Sequence, residues 1–312
     1  QYFRADRKTA SGTGKVMAEY QGIIVIRKEK EFTSHDVVAK LRGILHMKKI
    51  GHTGTLDPDA VGVLPVALGK GTKLVDLITD KEKTYEAVLR LGITTDTQDM
   101  SGTVLEEKPV NVTEQQVRET IAGFVGEQLQ IPPMYSALKI NGKKLYELAR
   151  EGKTVERKAR PVCFYQIEVL DIQLPVVRIR VACSKGTYIR TLCHDIGQKL
   201  GCGGCMEQLL RTRVGRFSLE ESHTLSEVEQ AVADGTVCKW IYPVENVLAE
   251  YPKIQADPYG DRLLQNGNPL SENLVDEQHK EGWVRMYASN GNFTGIFQWD
   301  EKKKKYYPVK MF

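Results

Sequence analysis

The chain has 312 residues, 41% of them hydrophobic, which is enough to bury a core and long enough for one large domain plus a small one. Its net charge of +4 is too small to identify a nucleic-acid partner, so the distribution of charge matters more than its sum. No apolar run approaches the ~20 residues of a membrane span, and no charged-then-apolar signal segment opens the chain, so we expect no membrane association and a cytoplasmic location.

Residues 1–16 are polar and unpatterned and are expected to form a disordered leader, with Met17 as the natural start. Residues 22–26 read as a strand. Thr33 and Ser34 can cap a helix whose Val37, Val38, Leu41 and Leu45 form one apolar stripe. A strand is expected over residues 85–91. Thr113 and Gln116 form a capping box that opens a helix with Val117, Ile121, Phe124 and Val125 inside. Residues 178–184 alternate as a strand, and Lys185-Gly186 turns the chain into a helix with Ile189, Leu192, Ile196 and Leu200 at helical spacing. Near Ala249 the pattern changes to short strands and turns, with Trp283–Tyr287, 295–299 and 305–309 as the clearest strands.

Six cysteines in a chain of this length do not make a disulfide framework and read as reduced thiols. Cys202-Gly203-Gly204-Cys205 has the spacing of half a zinc site, but a Gly-rich turn after a helix explains it more simply, and no metal is expected. Residues 139–160 carry eight basic side chains (Lys139, Lys143, Lys144, Arg150, Lys153, Arg157, Lys158, Arg160) against three acidic ones. Such a stretch can neutralise phosphates; a solvated charged helix is the plainer alternative.

The densest chemistry lies in Gly51-His52-Thr53-Gly54-Thr55-Leu56-Asp57-Pro58. Glycines permit close approach of the backbone or positive φ, and Pro58 pushes Asp57 away from helical geometry, so the carboxylate is presented on a loop. The same residue types also occur in ordinary solvated turns.

The run GHTGTLDPDAVGVLPVALGKGTKL over residues 51–74 resembles the signature of the TruB-type tRNA pseudouridine synthases. The resemblance recurs in the family's order at Lys83-Thr84-Tyr85, at residues 92–97 (GITTDT), at Gln130-Ile131-Pro132-Pro133 with Tyr135-Ser136-Ala137-Leu138-Lys139, and at residues 184–191 (SKGTYIRT). It implies an α+β fold with a mixed, mostly antiparallel sheet flanked by helices. It also implies a catalytic domain over residues 17–248, with an RNA-gripping insertion at about 128–160, and a small β-rich, PUA-like RNA-binding domain over 249–312.

The implied activity is conversion of the T-loop uridine at position 55 of tRNA to pseudouridine on a flipped nucleotide, with no cofactor, no metal, no guide RNA and no obligate protein partner, by a monomer. Asp57 would be the aspartate that attacks the ribose or that stabilises and deprotonates a glycal-like intermediate, Arg190 its ion partner, and Tyr85 the ring stacked on the base and a candidate for the proton at C5. His52 would contact the flipped nucleotide, Tyr188 and Leu209 would line the uridine pocket, and Lys139, Lys143, Lys144, Arg150 and Lys153 would contact the T-arm. Read without the family, Tyr85 and Leu209 would be core residues, His52 a hydrogen-bonder of its own loop and Arg190 a surface ion pair or a phosphate contact.

Where the family has Lys-Pro-x-Gly-x-(Ser/Thr)-Ser, the chain has Lys28-Glu29-Lys30-Glu31-Phe32-Thr33-Ser34, so Glu replaces both Pro and Gly and is expected to alter the turn or weaken RNA docking. Two rival readings are the guide-RNA-dependent relative that modifies ribosomal RNA and an RNA-folding chaperone. The Pro132-Pro133-Met134-Tyr135-Ser136-Ala137 insertion favours the stand-alone enzyme over the first, and Asp57 together with Arg190 favours catalysis over the second.

Overall fold

The computed structural model describes residues 20–140 and 142–312, so the expected leader and Met17 lie outside the described residues. A ten-stranded sheet organises most of the chain. Along its main path the strands run Ile241–Tyr242, Gly22–Lys28, Val61–Leu68, Gly204–Val214, Lys83–Leu91, Val176–Cys183, Arg160–Gln173 and Gly126–Gln130. All neighbours are antiparallel except Val61–Leu68 and Gly204–Val214, which meet in parallel at Leu210 opposite Val61 and Arg211 opposite Gly62. That junction needs a glycine. Gly62 has φ 113°, and a Cβ there would lie 2.2 Å from the Arg211 carbonyl oxygen.

Sequence pattern explains which strands are central. Gly22–Lys28 is a β-branched run buried on both faces, whereas Lys83–Leu91 alternates buried with half-buried positions and so has one core face. On that core face Tyr85, Ala87, Leu89 and Leu91 pack with Val117 and Ile121 of helix Glu114–Ala122 and with Ile189, Leu192 and Ile196 of helix Ile189–Lys199. Each leucine, isoleucine or valine among them contributes about 1.5–3 kcal/mol on full burial. Helix Ser34–Ile44 covers another part of the sheet through Val37, Val38 and Leu41, and its Thr33–Asp36 capping box closes reciprocally at 3.0 and 2.8 Å.

The box at Thr113 and Gln116 forms as its sequence demands, but the helix ends at Ala122. Phe124 is therefore only half-buried, though packed against the core, and Val125 is 46% exposed, contrary to expectation, because the helix closes with i→i+3 bonds (Phe124 N–H to the Ile121 carbonyl at 3.0 Å, Val125 N–H to the Ala122 carbonyl at 3.3 Å) that break the helical period. A second sheet of five strands, Lys253–Gln255, Trp283–Tyr287, Phe293–Asp300, Lys305–Met311 and Leu270–Ser271 in spatial order, closes the chain. Its Ile296 packs into the same cluster as Ile23, Val25 and Phe217, and Lys73 Nζ donates to the Met311 carbonyl at 2.6 Å.

Candidate active site

The loop carrying Asp57 is fastened at several points. Thr53 donates to the Pro65 carbonyl through both its backbone N–H and its hydroxyl, at 3.2 and 3.0 Å. Leu56 is buried in the core beneath the loop, and its N–H donates to Ser34 Oγ at 2.9 Å. Beyond Asp57, the Pro58 carbonyl accepts from the Glu31 N–H at 2.9 Å and from Lys28 Nζ at 3.0 Å. The segment that departs from the family pattern thus still supports the loop. Glu31 has φ 72°, the backbone the family's glycine would adopt without strain, so the turn survives the substitution at the cost of a left-handed glutamate.

The structure brings Asp57 and Arg190 together, with Arg190 Nη2 at 3.1 Å from Asp57 Oδ2. The two partners differ in exposure: the Arg190 side chain is 6% exposed, that of Asp57 44%. Arg190 is further fixed by donating to the Tyr135 carbonyl at 2.8 Å and the Thr97 carbonyl at 3.3 Å, with Asp99 Oδ2 at 3.5 Å. A locked cation therefore faces a carboxylate that is open to a cleft of about 1300 Å³. His35, Asp99, Tyr135, Lys144, Arg150 and Leu209 line the cleft.

The other expected site residues divide. Leu209 lines the cleft, and Lys144 and Arg150 flank Tyr146 at its edge, with the two cations 5.3 and 5.5 Å from the ring centroid. Tyr85 is 9% exposed, packs among core side chains and does not line the cleft; burial pushes its phenol above the ordinary value. His52 meets His35 edge-on with ring centroids 5.1 Å apart, and burial pulls its pKa down, which favours the neutral imidazole. Tyr188 precedes helix Ile189–Lys199 and is clamped through its backbone by Gln130, which donates to the Tyr188 carbonyl at 3.0 Å and accepts from its N–H at 2.8 Å.

Residues 139–160 are not one helix. They form the short pairing of Lys139–Ile140 with Lys143–Lys144, then helix Leu145–Arg150 and an extended return. Lys143 and Lys153 both pair with Glu151, at 3.6 and 2.7 Å. Lys139 lies exposed on the first strand of the pairing.

Sequence reasoning missed three residues. Lys28 is buried, and its ammonium donates to the carbonyls of Glu29, Phe32 and Pro58; burial lowers its pKa to about 8. Arg211 is buried beneath the same loop. Asp99 sits just beyond the recognised 92–97 segment, and its Oδ2 lies 3.5 Å from Arg190 Nη1, whereas Asp57 meets Nη2. Lys28 alone had a signal, as the first residue of the family-like segment.

Cys202 and Cys205 turn to different partners. Cys202 Sγ donates to the Gly203 carbonyl at 3.5 Å, whereas Cys205 Sγ contacts Met100 Sδ at 3.4 Å. Burial holds the Cys205 thiol up at about 11, against thiolate formation. Among the described residues no group of three or more His, Cys, Asp or Glu side chains is arranged to hold a metal ion, and no helix is long and apolar enough to cross a membrane.

Fold and site together define a class. A chain in the crystal structure of a Cbf5-Nop10-Gar1 complex superposes with a TM-score of 0.71 at 28% identity, over 93% of this chain and 84% of that one. A chain in the structure of an H/ACA RNP bound to a substrate RNA containing 2'-deoxyuridine does so at 0.70 and 27%, again over 93% and 84%. The family model for the N-terminal domain of TruB family pseudouridylate synthases matches residues 42–189, and that for the tRNA pseudouridylate synthase B C-terminal domain matches residues 190–249. The tRNA pseudouridine synthase B of Lachnoclostridium phytofermentans is 52% identical over 93% of this chain and 99% of its own, and that of Clostridium tetani 46% over 89% and 95%. The chain belongs to the TruB family of pseudouridylate synthases.

Proposed function

We propose that this protein converts uridine to pseudouridine in tRNA, at the T-loop uridine at position 55, acting without a guide RNA. The observation that carries the chemistry is the 3.1 Å pairing of a half-exposed Asp57 with a buried Arg190 at the cleft. The reaction breaks the bond from ribose C1' to N1, turns the uracil and joins C1' to C5; C5 loses a proton and the freed N1 ends up carrying one, so product and substrate are isomers. Attack on the ribose, or stabilisation and deprotonation of a glycal-like intermediate, needs Asp57 as the carboxylate, and the guanidinium 3.1 Å away holds it in place.

Leu209 supports one side of the base, with Tyr188 and His52 near the start of the adjoining helix and the loop. Stacking of the uracil on Tyr85 requires the base to reach a ring that is 9% exposed in this structure, so nucleotide entry must move some of the side chains that bury it. Extruding the nucleotide costs a few kcal/mol of unstacking, which contacts to the RNA backbone must offset. Lys139, Lys143, Lys144, Arg150 and Lys153 supply positive charge for such contacts on the T-arm. In this reading residues 17–248 form the catalytic domain, with its RNA-gripping insertion at about 128–160, and 249–312 a PUA-like module that extends the RNA surface. The five-stranded sheet, which starts just after the family match ends, supports that division. The enzyme acts as a cytoplasmic monomer without an obligate protein partner, and needs no cofactor or metal.

Incubating the purified protein with unmodified tRNA, without guide RNA, cofactor or added metal and in the presence of EDTA, and mapping pseudouridine tests this. Stoichiometric product at the T-loop position is expected. No product unless a guide RNA is supplied would favour the guide-RNA-dependent reading instead.

A further inference from the structure

Arg211 is the largest fully buried side chain among the described residues, 1% exposed, and has no carboxylate partner among them. An unpaired buried cation is costly unless fixed dipoles replace its hydration. Here backbone carbonyls do so: Nε donates to Val63 at 2.8 Å, Nη2 to Gly54 at 3.2 Å and Nη1 to Thr55 at 3.4 Å. Two of these three acceptors belong to the loop that presents Asp57, within three residues of it.

Strand register adds a second partner. Arg211 lies directly across from Tyr85 in the antiparallel pairing and across from Gly62 in the parallel one, so the Arg211 and Tyr85 side chains leave the same face of the sheet as neighbours. A guanidinium only donates and a phenol oxygen can accept, so the chemistry that links these neighbours runs from Arg211 to the Tyr85 hydroxyl and leaves the phenol's own proton to other acceptors. One planar fork is thus bonded to the Asp57 loop and stands beside Tyr85, two groups that come from different parts of the chain.

We propose that Arg211 is a positioning residue for the isomerisation: it holds the Gly54 and Thr55 carbonyls, and through them Asp57, in register with the hydroxyl of Tyr85. This rests on the pseudouridine synthase reading above and deepens it. A lysine in the same place keeps the charge but has no rigid fork to engage both partners.

The full-length protein is assayed with unmodified tRNA as wild type, Arg211→Lys, Tyr85→Phe and the double variant, by single-turnover rate at saturating tRNA, tRNA dissociation constant, pH profile and thermal unfolding. For Arg211→Lys we expect a folded protein, tRNA affinity within about twofold and a single-turnover rate lower by on the order of 10²-fold, the effect of small misplacement of reacting groups. Adding Tyr85→Phe to it should cost much less than Tyr85→Phe alone, and the pH profile of Arg211→Lys should move toward that of Tyr85→Phe.

A wild-type rate for folded Arg211→Lys, or losses that simply multiply in the double variant, would overturn the proposal while leaving the assigned activity intact. If Arg211→Lys does not fold, Tyr85→Phe decides: turnover lost with affinity kept supports it, and wild-type turnover overturns it, since the hydroxyl Arg211 would place then does nothing. A wild-type protein that forms no pseudouridine sinks the functional reading and takes this role with it.

Discussion

The surroundings of Asp57 and the arm at residues 139–160 both rely on basic side chains, but in opposite ways. Around Asp57 the cations Lys28, Arg190 and Arg211 are buried and held by backbone carbonyls, so they cannot follow a moving ligand. On the arm, Lys143 and Lys153 are exposed and share one acid, Glu151, while Lys144 and Arg150 lie against Tyr146 at the cleft. Bond breaking in a flipped nucleotide needs groups fixed in advance, because reorganisation at the moment of reaction raises the barrier. Gripping RNA needs charge that can reach phosphates, and surface ion pairs worth ~0–1 kcal/mol are readily exchanged for such contacts.

Breaking the fixed side should give the largest effects. Arg190→Ala should lose turnover by on the order of 10³-fold, and Arg190→Lys should recover little, because a point-like ammonium cannot serve Asp57 and the Tyr135 and Thr97 carbonyls together. Single-turnover assays at saturating tRNA check this; near-normal turnover for the lysine variant would argue against a geometric role.

On the arm the losses should be smaller and should fall on affinity rather than on the rate at saturation. Lys144→Gln with Arg150→Gln, at the cleft, should weaken tRNA binding more than Lys143→Gln with Lys153→Gln, whose charges are partly met by Glu151. Each lost phosphate contact should flatten the log-log salt dependence by up to ~0.9 on a duplex and nearer ~0.7 on single strands. Filter-binding titrations across salt would show the reverse order if the pairs to Glu151 are irrelevant in solution.

The smallest expected effect concerns stability. Lys28 has its pKa lowered from 10.5 to about 8 by burial, so between these values the unfolded chain binds more protons than the native one and native stability rises with pH. Below about pH 8 the cost of the buried charge is fully present. Wild type should therefore gain stability relative to Lys28→Met as pH rises from about 8 toward 10.5, read from urea midpoints; Lys83, with a similar shift, is common to both proteins and cancels. A pH-independent difference would mean that the amine is solvated.

How much of this was legible in sequence depends on the range of the interaction. The Thr33–Asp36 and Thr113–Gln116 caps are local, so residue type and spacing sufficed to place both helix starts, although only the second box was recognisable as a Thr-x-x-Gln pair. Asp57 and Arg190 lie far apart in the chain and carry no mutual signal; only the family resemblance connected them. Arg211 was invisible, since its carbonyl partners at Val63 and Gly54 lie 148 and 157 residues away and its burial follows from a strand crossing that depends on Gly62. Tyr85 shows the complementary case: the resemblance supplied a role on the substrate, while strand alternation alone foretold the buried ring that the structure has.

Asp57→Asn tests the central claim most directly, because it keeps the shape of the side chain and removes the charge that faces Arg190. Measured in single turnover on unmodified tRNA with a contamination-free preparation, it should retain tRNA affinity within a few-fold and lose turnover by at least on the order of 10³-fold. Appreciable pseudouridine formation by that variant would contradict the placement of the reaction at Asp57.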